Sequence, residues 1–335
     1  MNGEKVSAVL AMVTVLTMVA YTGNGLRDRG QETVTAETVT TVPENTIAVQ
    51  ATVPPPPTET QPPTEPPRET ALAEAMAGMD GAYIFVCDAE AGGMIASKTD
   101  TADKLYPASV TKLYTAWLAL QHLEPDAVVT AGEELRLVGS GSSLAYISRG
   151  CRLRVDMLVE AMLLPSGNDA AYVLAAAAGR VLAGEELSAD QAVQRFVAEM
   201  NTEAERQGFV NSHFTNPDGY HTGAHYSCPE DIMRIGALVL ENEIICRYAA
   251  LEADSVTYAS GEKITWYNTN RMVNRGTEQY RADCIGLKTG YTGEAGYCLL
   301  AAFDDGENRI LVGIFGAEQN YPRYANAAQL WQLCG

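Results

Sequence analysis

Cys284-Ile-Gly-Leu-Lys-Thr-Gly-Tyr-Thr-Gly-Glu-Ala-Gly-Tyr-Cys-Leu-Leu-Ala-Ala-Phe-Asp-Asp-Gly-Glu-Asn-Arg-Ile-Leu-Val-Gly-Ile-Phe315 is the stretch that decides the architecture. It holds three strand-like runs, Cys284–Lys288, Tyr297–Phe303 and Arg309–Phe315. The acidic, glycine-bearing Asp304–Asn308 between the last two is a strong hairpin turn. Far upstream, Ala82-Tyr-Ile-Phe-Val-Cys-Asp88 reads as another strand, Ala91-Gly-Gly93 as a turn and Met94–Ser97 as the returning strand. Between these ends the periodicity is helical: Ser109–His122 after Pro107, Arg154–Leu164, Asp169–Ala183, Ala189–Gln207 with Gly208 as its stop, and Pro229–Glu241. Pro322–Leu333 closes the chain as a last helix. Strands at both ends of a helical middle predict an α+β fold. An antiparallel sheet of N- and C-terminal strands is flanked by helices, α/β/α-like, with a helical lobe beside it.

The chain has 335 residues, and its first part is not globular in composition. Val6–Tyr21 is apolar apart from Ser7, Thr14 and Thr17, and it follows a short start with Lys5. Residues 1–23 are therefore expected to be a signal peptide or an N-terminal membrane anchor, and both put the rest of the chain outside the cytoplasm. Residues 24–75 carry Glu-Thr-Val-Thr repeats and then Val53-Pro-Pro-Pro-Pro-Thr-Glu-Thr-Gln-Pro-Pro-Thr-Glu-Pro-Pro67. Prolines remove backbone donors and there is little apolar surface to bury, so this reads as an extended, disordered stalk. Fully polyproline-like, it would reach on the order of 100 Å. The globular domain is then expected over 76–335.

Hydrophobic content of 47% is ample for a core, and the formal net charge is −19. An acidic surface argues against nucleic acid and against docking on anionic lipid, which leaves membrane contact to the N-terminal segment alone. The seven cysteines are spread out, with no C-x-x-C pair, so a zinc ribbon is not expected. Their odd number leaves at least one free or paired between chains. His221 and His225 have the i, i+4 spacing of a helical metal pair, but the residues between them are Thr-Gly-Ala in a turn-rich region, so no metal site is expected.

Three short motifs stand in one order: Ser109-Val-Thr-Lys112, Ser166-Gly-Asn168 and Lys288-Thr-Gly290. Each alone has an ordinary explanation. Ser109 and Lys112 suit a helix cap with an exposed lysine, and Ser166-Gly-Asn168 suits a helix-start loop. Together they supply the parts of acyl transfer. Positions i and i+3 of a helix share a face, so the Lys112 amine can reach the Ser109 hydroxyl. The amine can take that proton only when neutral, and burial and a second cation, Lys288, would both lower its pKa. Ser166 is the expected proton relay to the leaving amine. Asn168 is expected to hold the substrate's peptide group and touch Lys112. Lys288 and Thr289, ending a strand, are expected to bind a terminal carboxylate, with Gly290 allowing close approach of the substrate backbone. The backbone N–H groups of Ser109 and Tyr291 would form the oxyanion hole.

These motifs, and the sequence around them from about Gly81 to Leu333, resemble the serine-type D-Ala-D-Ala carboxypeptidases, the low-molecular-mass penicillin-binding proteins of peptidase family S11. Leu105-Tyr-Pro-Ala-Ser-Val-Thr-Lys-Leu-Tyr-Thr-Ala116 is similar to the family's nucleophile helix, and Leu163-Leu-Pro-Ser-Gly-Asn-Asp-Ala170 to its second motif. His213-Phe-Thr-Asn-Pro-Asp-Gly219 resembles its F-x-N-P-x-G loop. Gly286-Leu-Lys-Thr-Gly-Tyr-Thr292 with Ala295-Gly-Tyr-Cys298 resembles its third motif. The resemblance implies a β-lactamase/DD-peptidase-like fold without cofactor. The activity it implies is removal of the last D-Ala from peptidoglycan stem peptides, with penicillins and other β-lactams acylating Ser109. Many members carry a second β-rich domain and a C-terminal amphipathic helix. The sequence to Gly335 holds neither, so anchoring is expected at the N-terminus. Two other readings remain. A class A β-lactamase would need a carboxylate to activate the deacylating water, and Asn211–Tyr220 offers only Asp218. A non-catalytic penicillin-sensing or wall-binding module would acylate and stop.

Overall fold

The computed structural model describes residues 67–335. The expected export segment (1–23) and the expected stalk as far as residue 66 lie outside the described residues. In chain order the elements are α1 (Arg68–Ala77), β1 (Tyr83–Asp88), β2 (Gly93–Ser97), α2 (Thr111–Leu120), β3 (Val128–Thr130), β4 (Arg152–Arg154), α3 (Val155–Leu163), α4 (Asn168–Ala183), α5 (Ala189–Arg206), α6 (Pro229–Leu240), α7 (Glu243–Ala249), β5 (Ala253–Thr257), β6 (Lys263–Tyr267), β7 (Cys284–Thr292), β8 (Gly296–Asp304), β9 (Arg309–Ala317) and α8 (Pro322–Gln332). Among the described residues no helix is long and apolar enough to cross a membrane.

The main sheet has the order β2-β1-β9-β8-β7 and is antiparallel throughout. β1 lies against β9, with Tyr83 opposite Phe315 and Val86 opposite Val312, which joins the two ends of the domain as expected. Side chains on a strand alternate between faces, and here both faces are buried. Leu299, Ala301 and Phe303 of β8 face one core, shared with Leu72 and Met76 of α1 and with Tyr324, Leu330 and Trp331 of α8. Cys298, Leu300 and Ala302 face the other, against α2, α4, α6 and the rest of the helical lobe. Double-sided burial explains why these strands read as continuous apolar runs rather than alternating ones. Each large apolar side chain withdrawn from water in this way contributes about 1.5–3 kcal/mol.

The stalk boundary needs correction. Residues 68–75, expected as stalk, form most of α1, with Leu72 fully buried and Met76 at 1% exposure against the sheet. Two apolar residues four apart face one side of a helix, and the nearby prolines obscured that signal. β7 also runs further than expected. It continues through Gly290 to Thr292, paired residue by residue with β8, so Lys288-Thr-Gly290 lies within the strand and does not end it. The small β3–β4 and β5–β6 pairs and α7 were not expected at all.

Candidate active site

Pro107 leads into a tight 3-10 turn, Ala108–Val110, which passes directly into α2. The expected helix start at Ser109 is therefore this turn, and α2 proper begins at Thr111. Residues i and i+3 eclipse in such a turn. Lys112 accordingly lies over Ser109, and its Nζ donates to Ser109 Oγ at 2.8 Å and to the main-chain oxygen of Asp218 at 2.6 Å. Lys112 is completely buried. Burial brings its amine down to about 8, against the opposing pull of the Asp218 and Asp169 carboxylates. Ser109 is half-buried and opens into a cleft of about 770 Å³.

The segment after α5 braces this turn from behind. Thr115 Oγ1 donates to Pro217 O at 2.7 Å, and Asn216 closes its own loop through Tyr220 O and Gly219 N–H. Gly219 has φ +80°, and a Cβ there would sit 1.8 Å from Ala108 O, so only glycine lets the loop and the Ala108–Val110 turn meet. The two histidines have separate places. His221 stands edge-on to Tyr106, with ring centroids 4.7 Å apart. His225 Nδ1 accepts the Thr215 N–H, so Nε2 carries the proton and donates to Thr111 Oγ1 at 2.9 Å. Burial keeps this imidazole neutral, with its pKa lowered to about 3.

The second motif opens α4. Asp169 Oδ1 and Oδ2 accept the N–H groups of Ala145 and Ile147 at 2.8 and 2.9 Å, which pins the Ser140–Ile147 loop across the cleft mouth. Asn168 Nδ2 donates to Ser142 Oγ at 2.8 Å. Its expected contact with Lys112 is not made, because the loop takes the amide and Asp218 O takes the lysine. Ser166 lines the cleft with Ser109, and among the described residues no hydrogen bond links it to Ser109 or Lys112.

The third motif lies on β7, the edge of the sheet. Thr289 faces the cleft, and its Oγ1 is 2.7 Å from Thr269 Oγ1. Lys288 does not line the cleft. It is 1% exposed and donates to Thr269 Oγ1 and to Thr289 O. Burial above all, then the charges of Lys112 and Arg323, hold its amine well below the usual lysine range. At Lys112 burial is the one cause of lowering, with no contribution from a second cation. A Cβ on Gly290 would lie 3.0 Å from Ser109 N, so the immediate reason for this glycine is the fit between β7 and the Ala108–Val110 turn. Three of the four non-glycine residues with positive φ among those described flank or belong to the motifs: Ala108 at +47°, Ser166 at +63° and Leu287 at +74°. Strained backbone of this kind persists where the surrounding structure over-determines it, and it gathers at functional sites.

The cleft's cations are ones the motifs did not name, Arg271 and Arg323. Arg323 is 5% exposed, and its terminal nitrogens are spent on Gly290 O, Cys298 O, Asn320 Oδ1 and Tyr324 Oη. Its Nε is buried without a partner, as are Asp218 Oδ2 and His221 Nδ1 on the same cleft. Buried polar atoms left unpaired are rare and invite a ligand. Nothing in the sequence distinguishes Arg323 from a surface arginine at a helix start.

Residues 70–319 match the sequence profile of the D-alanyl-D-alanine carboxypeptidase family. The chain is 28% identical over 241 residues to D-alanyl-D-alanine carboxypeptidase DacF of Bacillus subtilis, covering 71% of this chain and 58% of that one. It is 32% identical over 231 residues to a D-alanyl-D-alanine carboxypeptidase of Streptomyces sp. strain K15, covering 66% and 76%. The crystal structure of the Streptomyces K15 DD-transpeptidase superposes with a TM-score of 0.69 at 27% identity, over 76% of this chain and 97% of the other. The chain thus spans little more than half the length of several curated relatives it matches.

Proposed function

The chain belongs to the D-alanyl-D-alanine carboxypeptidase family, peptidase S11, and from that premise we propose that it removes the terminal D-Ala from peptidoglycan stem peptides through an acyl-enzyme on Ser109. The observation that carries this reading is the buried amine of Lys112, 2.8 Å from the Ser109 hydroxyl. When that amine is uncharged its lone pair takes the serine proton, and Oγ attacks the carbonyl of the penultimate D-Ala. The N–H groups of Ser109 and Tyr291 receive the developing oxyanion. Ser166 relays the proton held by Lys112 to the departing amine of the last D-Ala, giving its own proton and taking the lysine's, so Lys112 is neutral again; Asn168 orients the donor peptide. Water then attacks the ester, with the lysine again taking the proton. The terminal carboxylate rests on Thr289 Oγ1, with the Arg323 guanidinium, which lines the same cleft, supplying the positive charge. Lys288, from behind, holds Thr269 and Thr289 in place. β-Lactams are expected to acylate Ser109 and block it.

Family membership favours this reading over a β-lactamase or a non-catalytic sensor. The likeness to the K15 DD-transpeptidase favours one variant, in which an amine rather than water accepts the acyl group. The substrate lies in the cell wall, so the domain acts outside the cytoplasm, secreted or held by its N-terminal segment. Mass spectrometry of the intact chain with and without penicillin tests the proposal. A single adduct on Ser109, absent from Ser109→Ala, is the expected result, and an adduct elsewhere overturns it. Incubating a D-Ala-D-Ala peptide with a glycine acceptor then separates hydrolysis from transfer.

A further inference from the structure

Beside the cleft lies a second groove of about 690 Å³, bounded by the β7–β8 hairpin turn, the start of β1 and the segment Lys104–Tyr106. It shares Tyr291, Glu294 and Tyr297 with the cleft, so the two form one surface divided only by the hairpin. Four tyrosines wall it: Tyr83, Tyr106, Tyr291 and Tyr297. Tyr291 is 58% exposed, and its ring centroid lies 4.5 Å from that of Tyr297. The groove's one lysine is already engaged. Lys104 Nζ donates to Gly223 O at 3.1 Å and lies 4.1 Å from the Tyr226 ring centroid. Together with Glu294 this gives an amphipathic lining with no free cation for an anionic ligand. Exposed aromatic surface next to a reaction cleft calls for an occupant.

The occupant follows from the direction of the substrate, which rests on the function proposed above. The terminal carboxylate lies at Thr289 and Arg323, and the attacked carbonyl lies between Ser109 and the Tyr291 N–H. The donor chain must then leave along the edge of β7, past Thr292 toward Glu294. At about 3.3 Å per residue, a stem of three or four residues reaches roughly 10–13 Å, which carries it past the hairpin turn. The part of the substrate that arrives at the groove is its sugar end. Tyrosine rings offer flat apolar faces with a hydroxyl at one edge, a match for a neutral, amphipathic sugar ring. We propose that this groove is a carbohydrate subsite for the N-acetylated amino sugar that bears the stem peptide.

The test uses the full chain and a ligand that cannot turn over: an N-acetylmuramyl peptide lacking the D-Ala-D-Ala end, titrated beside the same peptide without its sugar. The sugar-bearing peptide is expected to bind about tenfold more tightly, as stacking on one or two rings would give. Tyr83→Leu keeps apolar packing at the start of β1 but removes the flat ring, and Ala82→Trp fills the groove from an exposed wall position. Each is expected to erase the tenfold preference while leaving the rate of penicillin acylation at Ser109 unchanged. Equal affinity for the two peptides in the wild-type chain, or a preference that survives both variants, overturns the subsite. Penicillin acylation reports separately on the active site. Its absence would sink the acyl-transfer reading, while the titration still decides the groove.

Discussion

The buried lysine makes a prediction with two independent readouts. Lys112 titrates near 8, down from a reference value of 10.5, because burial disfavours its charged form. At roughly 1.4 kcal/mol per pH unit, that displacement is worth about 3 kcal/mol in favour of the neutral amine. If the neutral amine is the base, only about 9% of the enzyme is competent at pH 7 and about half at pH 8. The second-order rate of acylation by a fluorescent penicillin should therefore rise close to tenfold between pH 6 and 7, bend near 8 and level off above 9. Lys112→Met should lose acylation by at least a factor of a thousand while remaining folded. The same displacement acts on stability. Between about pH 8 and 10.5 the unfolded chain holds a proton on this lysine that the folded chain has shed, so folding strengthens as pH rises through that window. Urea titrations at pH 7.5 and 10.5 should show the wild type gaining on Lys112→Met by up to about 3 kcal/mol. A rate profile flat from pH 6 to 8, or stability curves that run parallel for the two proteins, would refute the argument.

Arg323→Met should cut kcat/KM about a hundredfold for peptides ending in a free carboxylate, and far less for the corresponding terminal amides, since it removes a charge-assisted partner. An equal loss on both would remove its assigned role. Gly219→Ala should abolish penicillin labelling, because a methyl 1.8 Å from Ala108 O forces the turn that carries Ser109 to move; near-wild-type labelling would contradict that contact. Leu72→Ala should cost about 2–5 kcal/mol in urea unfolding if α1 is part of the core, and no loss would return residues 68–75 to the stalk.

The sheet and most of the helices were legible because their signals are local. Apolar runs, the Asp304–Asn308 turn and Pro229 and Pro322 at helix starts each fix one element, and the sheet's closure follows from having strands at both ends. α1 was hidden by proline-rich neighbours, and the β3–β4 and β5–β6 pairs are too short, at three to five residues, to show a period. At the site, the Ser109–Lys112 pair was readable from spacing alone. The partners of Asn168, Lys112 and Lys288 beyond that pair were not, because Ser142, Asp218 and Thr269 lie 26, 106 and 19 residues from the groups they touch. Arg323 was invisible for the same reason: a buried guanidinium with one unpaired nitrogen is a property of the packed molecule.

The positive φ angles at Ala108, Ser166 and Leu287 bear on any attempt to make this protein hardier. An L-residue in that region is held at a cost of order 1–3 kcal/mol, so replacement by glycine would relax it and raise the melting temperature. At position 166 the change would also delete the hydroxyl assigned as proton relay, and at 108 and 287 the relaxed chain would be freer to swing Ser109 and Lys288 out of register. Thermostable variants should therefore come from changes elsewhere, and screens that select on heat resistance alone will drift toward well-folded but sluggish proteins at these three positions.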